Sequence, residues 1–481
     1  MPEQFSNWIG GERAGSTRFL DNINPSDTRE IVGHYALASV EDAQRAIAAA
    51  KSAAPAWAAS APQLRHDILK RASDELVARR AELGTLLARE EGKTLPEATG
   101  EVGRAAQVML YMAGEALRIS GEKLMGLAAD SEIDVVHEPV GVIGIVTPWN
   151  FPIAIPAWKI APALAYGNTV VFKPSELVPG SAWALVDILQ RAGLPAGVLN
   201  LVMGAGDVGQ AIAAHPDVAA ISFTGSVATG RKVGLAGIES TPMKKLQLEL
   251  GGKNPLLVLD DADLDLAVEC ALNGAFFSTG QRCTASSRLI VTEGTHDRFV
   301  AALTARLSAM RVGHALESGT HIGPVVNDTQ LAKDLEYIAI GKREGARLHW
   351  GGDILERATP GHYLQPALFT DVTPGMRIVR EEIFGPVAVV QRARDYDEGL
   401  ALANDTEFGL TAGICTDSQK YASHFRRHAR AGVVKVNLGT SGLDYHVPFG
   451  GTKSSSYGPR EQGHHAMQFF TSTKTAYSRL G

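Results

Sequence analysis

The sequence predicts an α/β protein with two α/β domains that have parallel-type sheets, together with a small β arm. The chain has 481 residues, which is too long for one ordinary core of about 100–200 residues. In the middle of the chain, short apolar runs alternate with helix-like stretches, a pattern typical of βαβ units and a parallel sheet. A second alternation begins at Arg288–Val291 and continues to about Val436.

The first alternation supplies the predicted strands in the middle of the chain. These runs are Val142–Val146, Thr169–Phe172, Leu199–Val202, Ala219–Phe223 and Leu256–Leu259. The helix-like stretches between them include Lys159–Ala165, Gly180–Ala192 and Val208–Ala214. Before this region, the segment from Val40 to Arg118 carries apolar residues at helical spacing and predicts helices.

Two segments that alternate like strands lie outside both predicted domains. They are Glu132–His137, before the first sheet, and Phe469–Tyr477, after the second domain. Since neither has an obvious partner in its own domain, we expect them to pair with each other and to reach a neighbouring subunit.

Composition excludes several classes of protein. A formal charge of −6 repels nucleic-acid phosphates and acidic lipid, so we expect neither partner. We also expect no membrane span, because no run approaches the roughly 18 apolar residues needed to cross a bilayer. The three cysteines do not form a disulfide framework, and the N-terminus carries no signal-peptide pattern, so we expect a cytoplasmic location. No His or Cys spacing matches a metal site.

Two glycine-containing turns could bind phosphate. Gly204–Gly209 fits the G-x-G-x-x-G pattern, but Phe223 and Thr224 stand where the ribose-binding acid should follow. A plain tight turn is the favoured interpretation there. In the second, the predicted strand ending at Phe223 runs into Gly225 and Ser226 and then into a helix, whose free N–H groups would receive a pyrophosphate.

Three further segments carry residue types suited to catalysis. In 147–152, prolines flank Asn150, whose amide could stabilise an oxyanion or only cap a helix. In 248–253, Glu249 stands before two glycines and could be a general base or a solvated side chain. In 279–285, Cys283 follows Arg282, which could lower the pKa of the thiol, although an isolated cysteine is more often a small buried hydrophobe.

These three segments, in this order, resemble the aldehyde dehydrogenase superfamily. The resemblance covers nearly the whole chain and includes 24–25, 172–176, 381–386 and 448–451. It implies a Rossmann-type NAD(P)-binding domain over 1–121 and 140–251, and a catalytic domain over 252–463. It also implies oligomerisation strands over 122–139 and 464–481, which form a homodimer or homotetramer.

The resemblance implies roles for four catalytic residues. Cys283 would be the nucleophile, and the Asn150 side chain and the Cys283 backbone N–H would form the oxyanion hole. Glu249 would activate the water that hydrolyses the thioester, and Lys159 would lie near Asn150 and the cysteine. Relatives that transfer the acyl group to coenzyme A generally lack this glutamate, so its presence favours hydrolysis to a free acid.

The resemblance also implies a nicotinamide cofactor. Glu176 would accept hydrogen bonds from both ribose hydroxyls and would repel a 2′-phosphate, which favours NAD, with NADP possible. The cofactor contacts implied in this way are Thr147, Trp149, Lys173, Pro174, Ser175, Glu176, Gly206, Phe223, Gly225, Ser226, Leu250, Gly251, Glu382 and Phe384.

Substrate choice depends on positions around the cysteine. Relatives acting on succinate semialdehyde carry arginines where this chain has Trp158 and Phe277, which argues against that substrate. Fragments 157–159, 165–168 and 454–463 resemble the branch that acts on 2-oxoglutarate semialdehyde (2,5-dioxopentanoate). Arg282 could bind the carboxylate of that substrate, or could only face solvent or a neighbouring helix.

Two alternative functions stay open. Phe151, Trp158 and Phe277 lie where betaine and amino-aldehyde dehydrogenases place aromatic residues around a cation, although Arg282 would repel such a substrate. Thr284 and Phe449 are further candidate substrate contacts. A non-catalytic structural relative would have lost the cysteine or the glutamate, and both residues are present.

Overall fold

The computed structural model describes residues 3–479, so the ends of the predicted domain ranges, 1–2 and 480–481, lie outside the described residues. The strands are β1 (Gln4–Phe5), β2 (Asn7–Ile9), β3 (Glu12–Ala14), β4 (Phe19–Ile23), β5 (Ile31–Ala36), β6 (Glu122–Met125), β7 (Ser131–Pro139), β8 (Val142–Val146), β9 (Thr169–Lys173), β10 (Leu199–Leu201), β11 (Ala220–Thr224), β12 (Lys245–Glu249), β13 (Pro255–Val258), β14 (Arg288–Thr292), β15 (Arg347–Trp350), β16 (Ala367–Thr370), β17 (Val387–Ala393), β18 (Thr411–Cys415), β19 (Val433–Val436), β20 (Ser456–Tyr457) and β21 (Thr471–Arg479).

The helices are α1 (Val40–Ala58), α2 (Pro62–Ala78), α3 (Arg80–Glu91), α4 (Leu95–Ala116), α5 (Ala154–Ala165), α6 (Pro179–Arg191), α7 (Gly206–Ala214), α8 (Val227–Glu239), α9 (Leu264–Ala275), α10 (His296–Ser308), α11 (Asp328–Arg343), α12 (Arg377–Arg380), α13 (Tyr396–Asn404), α14 (Gln419–His428) and α15 (Met467–Phe470). Short 3₁₀ helices span Phe277–Gly280, Lys453–Ser455 and His464–Ala466.

The predicted N-terminal helices are confirmed as α1 to α4. Ser39 and Asp42 form a capping box at the start of α1, and Thr94 and Glu97 do the same for α4. The apolar stripe of α4 packs against α2, α3 and α5 in the largest hydrophobic core. This packing fixes the other face of α4, which carries Glu97, near the second domain.

The first large sheet has eight strands in the order β20-β12-β11-β8-β9-β10-β2-β3. Its five central strands, β12, β11, β8, β9 and β10, are parallel. Strand β20 adds to one side of them by antiparallel pairing, and β2 and then β3 add to the other side, also by antiparallel pairing. The carboxyl ends of parallel strands share one edge of a sheet, where ligands bind. The segments containing Asn150, Lys173, Ser226 and Glu249 all lie at this edge.

The second large sheet has seven strands in the order β15-β16-β17-β14-β13-β18-β19, with only β15 antiparallel. Cys283 lies between α9 and β14, in the segment that enters this sheet. The predicted pair of α/β domains with parallel-type sheets is therefore confirmed. The exact domain bounds stay a prediction, and strand β20, from the range predicted for the catalytic domain, pairs with the first sheet.

The two outlying segments pair with each other, as predicted. Strand β21 runs antiparallel to β7 over nine residues, from Thr471 opposite Pro139 to Arg479 opposite Ser131, and β6 completes a three-stranded sheet. Within residues 3–479, no helix is both long and apolar enough to cross a bilayer.

Candidate active site

Cys283 lies where two cavities meet and lines both of them. The first, of about 180 Å³, lies at the carboxyl edge of the first sheet and contains eight residues predicted from the sequence. They are Trp149, Asn150, Gly225, Ser226, Leu250, Gly251, Glu382 and Phe384. The second, of about 250 Å³, is lined by aromatic and charged side chains. A thiol in this position can contact one ligand from each side.

An unusual turn presents this thiol. Ser278, Thr279 and Gly280 are three successive residues with positive φ, 51°, 57° and 65°. At Gly280 a Cβ atom would lie 2.2 Å from the carbonyl oxygen of Gly385, so only glycine fits. The turn reverses the chain after α9 and directs Cys283 back towards the first domain.

Asn254 holds the backbone of this segment in place. Its Nδ2 donates to the carbonyl oxygens of Cys283, at 2.8 Å, and Ala285, at 2.9 Å. The sequence does not predict this role of Asn254, because no local signal connects an asparagine with a turn that is about thirty residues later in the chain.

The pKa of the Cys283 thiol is raised to about 12, mainly by burial and in addition by the carboxylates of Glu382 and Glu249. The expectation of a lowered thiol pKa beside Arg282 is therefore wrong, because burial outweighs the effect of the guanidinium. The Arg282 guanidinium turns away from the sulfur and contacts Glu97 at 3.2 Å and Ser278 Oγ at 2.8 Å. With its pKa raised in this way, the free thiol stays protonated at neutral pH.

The Asn150 carboxamide is held next to the cysteine turn. Its Nδ2 donates to the carbonyl oxygen of Gln281 at 3.0 Å, and its side chain is buried at the wall of the first cavity. The second N–H of this amide is free to face a ligand on the thiol. From behind, Lys93 Nζ donates to the backbone oxygen of Asn150 at 2.7 Å.

Glu249, at the end of β12, is buried and accepts a hydrogen bond from Ser456 Oγ at 2.6 Å. Burial raises the pKa of Glu249 well above its usual value, and the Glu461 carboxylate raises it further. The Ser456 hydrogen bond and the Lys159 ammonium oppose this increase of the pKa. The described residues that line the two cavities next to the thiol do not include Glu249.

Lys159 is fully buried and has two partners that the sequence analysis did not predict. Its Nζ forms an ion pair with Glu461 and donates to Ser222 Oγ at 2.9 Å. The ammonium contacts these groups rather than Asn150 or Cys283. It therefore influences the site through the Glu461 and Glu249 carboxylates.

A third cavity, of about 650 Å³, continues along the same sheet edge. Lys173, Gly206 and Phe223 line it, so the Gly204–Gly209 run borders this cavity rather than the one beside the thiol. Lys173 Nζ lies 3.2 Å from Glu176 Oε2. Between the two cavities, Ser226 caps helix α8, its Oγ accepting from the N–H of Thr229 at 3.2 Å.

Four other predicted cofactor contacts are near these cavities without being among their lining residues. Thr147 is buried and its backbone N–H donates to Lys173. Pro174 and Ser175 connect Lys173 to Glu176, and Ser175 Oγ accepts from the N–H of Leu177. Their contact with a cofactor stays a prediction.

Glu382 and Phe384 enclose the end of the first cavity nearest the thiol. Glu382 Oε1 accepts from the N–H of Gly252 at 2.8 Å, and burial raises the pKa of this carboxyl. Phe384, with φ of 70°, contacts Trp149 edge-on, with ring centroids 5.4 Å apart. A flat ring could bind in the cavity between these side chains.

Five of the six predicted substrate contacts line the second cavity: Phe151, Trp158, Arg282, Thr284 and Phe449. The rings of Trp158 and Phe449 lie 5.8 Å apart. Phe277 is half-buried in the turn. The described residues that line this cavity do not include it. Its contact with substrate stays a prediction.

The site therefore places a cysteine thiol between a cavity at the carboxyl edge of the first sheet and a second cavity lined by aromatic and charged side chains. The chain belongs to the aldehyde dehydrogenase family. The family model described as "Aldehyde dehydrogenase family" matches residues 12–476. The prediction of an NAD(P)-dependent aldehyde dehydrogenase is thereby confirmed.

Similar proteins extend over the full chain. It is 42% identical to "Alpha-ketoglutaric semialdehyde dehydrogenase" of Bacillus subtilis, covering 98% of each chain. It is 44% identical to "Alpha-ketoglutarate semialdehyde dehydrogenase" of Haloferax volcanii, covering 98% of this chain and 97% of that protein. The structure of betaine aldehyde dehydrogenase from Staphylococcus aureus in complex with NAD+ superposes with a TM-score of 0.96 at 34% identity, covering 99% of this chain and 95% of that one.

Proposed function

We propose that the protein oxidises 2-oxoglutarate semialdehyde to 2-oxoglutarate, with NAD+ as the hydride acceptor. The observation that carries the proposal is the position of Cys283, whose thiol borders a dinucleotide cavity on one side and a substrate cavity on the other. The similar proteins of Bacillus subtilis and Haloferax volcanii, both named for this semialdehyde, support the choice of substrate.

In the first step, the Cys283 sulfur loses its proton and bonds to the aldehyde carbon. The carbonyl oxygen becomes an alkoxide, which accepts hydrogen bonds from Asn150 Nδ2 and the backbone N–H of Cys283. Removing one such donor costs about 10²–10³ in rate. When bound, NAD+ supplies the acceptor for the hydride that leaves this carbon, and a thioester remains on Cys283.

In the second step, Glu249 takes a proton from water, and the resulting hydroxide attacks the thioester carbon. The carbon–sulfur bond breaks, the acid leaves, and the sulfur regains a proton. To reach this water the Glu249 side chain must rotate away from Ser456. The raised pKa of Glu249 suits a base that accepts a proton near neutral pH.

The residues at the sheet edge fit a dinucleotide. The N-terminus of α8, at Ser226, offers backbone N–H groups to a pyrophosphate. At Gly251 a Cβ atom would lie 2.3 Å from Glu382 Oε2, so the backbone there is kept open beside the carboxylate proposed to bind the nicotinamide ribose. The Glu176 carboxylate near Lys173 suits a ribose with a free 2′-hydroxyl, which favours NAD over NADP.

The test is a kcat/KM panel with 2-oxoglutarate semialdehyde, succinate semialdehyde, betaine aldehyde and pentanal, each with NAD+ and NADP+. We expect 2-oxoglutarate semialdehyde with NAD+ to have the highest value. A higher value for any other aldehyde would overturn the proposed substrate, and a higher value with NADP+ would overturn the proposed cofactor.

The second candidate is oxidation of betaine aldehyde or an amino aldehyde. The aromatic side chains of Phe151, Trp158 and Phe449 in one cavity favour it, since aromatic faces attract cations. The charges of Arg104 and Arg282 in the same cavity oppose it. In the panel, this candidate predicts that betaine aldehyde exceeds both semialdehydes.

We propose further that the protein forms a homodimer or homotetramer through the β6–β7–β21 sheet. Strand β21 pairs on one side only, and this sheet exposes Leu124, Met125 and Tyr477, by 46%, 74% and 74%. We expect Thr475→Pro, within β21, to reduce the mass measured by light scattering, and Thr475→Ala to leave it unchanged. A monomeric wild type would contradict this proposal.

We also propose a cytoplasmic location. Cys270, Cys283 and Cys415 are all free thiols, as expected in a reducing compartment. Cell fractionation with a fluorescent fusion tests the proposal, and recovery in a membrane or secreted fraction would contradict it.

A further inference from the structure

Five charged side chains line the substrate cavity beside Cys283: Lys93, Glu97, Glu101, Arg104 and Arg282. Four of them form two ion pairs. Lys93 Nζ lies 2.7 Å from Glu101 Oε2, and Arg282 Nη2 lies 3.2 Å from Glu97 Oε1. Each pair is neutral as a unit, so neither leaves a net charge for the substrate.

The carboxylates of these pairs accept hydrogen bonds from other donors, and neither pairs with Arg104. Glu97 also accepts from the N–H and Oγ of Ser278, at 2.8 and 3.0 Å. The other oxygen of Glu101 accepts from the N–H groups of Ile153 and Ala154, both at 3.1 Å. Both carboxylates are therefore committed to the protein's own structure.

Arg104 differs from the other cations of the cavity. Among residues 3–479 it has no carboxylate within ion-pair distance and no side-chain hydrogen bond, and its guanidinium lies 5.8 Å from the Tyr445 ring. Three cations and two anions leave the cavity with a net charge of +1. That charge is the one on the half-buried Arg104.

The position of Arg104 separates it from the reacting sulfur. Glu97 and Arg104 share one face of α4, seven residues apart, which is about 10 Å along the helix axis. Glu97 contacts Ser278 and Arg282 in the cysteine turn, so Arg104 lies two helical turns away from that end. The aromatic side chains that line the same cavity lower the local dielectric constant and so strengthen an electrostatic contact.

We propose that Arg104 binds the carboxylate of the substrate and selects aldehydes with a distal carboxylate over neutral aldehydes. The inference deepens the proposed function and rests on it for the identity of the substrate. A guanidinium binds a planar carboxylate through two parallel hydrogen bonds. Arg282, already paired with Glu97, instead holds the cysteine turn against α4.

The test compares Arg104→Leu and Arg104→Lys with wild type on 2-oxoglutarate semialdehyde, succinate semialdehyde and pentanal. A hydrogen bond to a charged group contributes about 1.5–3 kcal/mol, or about 10–150-fold. We expect Arg104→Leu to raise KM for both acidic aldehydes by about this factor, with kcat and the pentanal values within about twofold. The lysine variant, which keeps the charge without the planar fork, should lie between.

Arg118→Leu is the matched control, because Arg118 lies just beyond α4, is exposed and, among residues 3–479, forms an ion pair with Glu115 alone. It should leave all three substrates unchanged. Equal losses for acidic and neutral aldehydes in Arg104→Leu, or no loss for either, would overturn the inference.

A second measurement separates this inference from the choice of substrate. We expect 2-oxoglutarate to inhibit the oxidation of pentanal competitively, and Arg104→Leu to raise its inhibition constant at least tenfold. We expect the same inhibition if the kcat/KM panel identifies another acidic aldehyde as the best substrate. In that case the proposed function fails, but the role of Arg104 does not. An inhibition constant unchanged by Arg104→Leu, or wild type that 2-oxoglutarate does not inhibit, would overturn the role of Arg104.

Discussion

The ion pair between Lys93 and Glu101 supports the oxyanion hole from behind, and Lys93→Met tests it. The two side chains are 1% and 2% exposed. Lys93 Nζ also donates to the backbone oxygen of Asn150, and Glu101 accepts the backbone N–H groups that begin α5. Burial alone would lower the pKa of Lys93, but the surrounding carboxylates, Glu101 first, raise it, so Lys93 is charged.

Removing one partner leaves a buried carboxylate without its counter-ion, which costs about 3–5 kcal/mol. We expect Lys93→Met to lower the free energy of unfolding by this amount, measured by urea denaturation followed by tryptophan fluorescence. Because the Asn150 backbone loses a donor, its carboxamide should shift, and kcat should fall by about ten- to a hundredfold.

Two further variants make this prediction specific. Lys93→Met/Glu101→Leu removes both charges and should recover much of the stability but little of kcat. Lys70→Met breaks an ion pair with Asp74 whose side chains are 50% and 61% exposed, and should cost less than about 1 kcal/mol. If Lys93→Met destabilises the protein no more than Lys70→Met does, the reasoning is refuted.

Three other predictions follow from the buried ionisable groups. Glu249→Gln should give a burst of NADH and then slow steady turnover, and an unchanged steady rate would exclude Glu249 as the base. The pKa of Cys283 is raised to about 12, mainly by burial, so its rate of reaction with iodoacetamide should rise about tenfold per pH unit from pH 8 to 10. The rate for Cys283→Ala is subtracted as the background. A plateau of the rate below pH 8 would contradict this prediction. Burial also raises the pKa of Asp334 from 3.8 to about 7, so its contribution to stability is present below about pH 4 and is lost as the pH rises through 7. The loss of unfolding free energy between pH 5 and 8 should therefore be smaller in Asp334→Asn, by up to about 3 kcal/mol, and an unchanged loss would show that Asp334 does not titrate in this range.

The residues predicted best from the sequence are those with a local signal. Asn150, Glu249 and Cys283 each lie in a short segment with prolines or glycines that limit the backbone, and the structure brings all three segments to one region. The apolar alternation predicted the parallel strands, because a strand buried on both faces has a continuous apolar run. The pairing of β7 with β21 followed from their lack of a partner in either domain.

The contacts that were missed connect residues far apart in the chain. Ser456 donates to Glu249 across 207 residues, and Ser278 donates to Glu97 across 181. No spacing predicts such pairs, because they depend on how the two domains pack. The same limit explains the error over the thiol pKa: the adjacent Arg282 suggested a lower pKa, but the fold buries the thiol and pairs Arg282 with Glu97 on a distant helix.

The most direct test of the account is to trap the acyl group and locate it. Glu249→Gln is mixed with 2-oxoglutarate semialdehyde and NAD+, quenched with acid during the NADH burst, digested and analysed by mass spectrometry. The account predicts one acyl thioester, on the peptide containing Cys283. Acylation of another residue, or a full burst with no acyl adduct on Cys283, would contradict it.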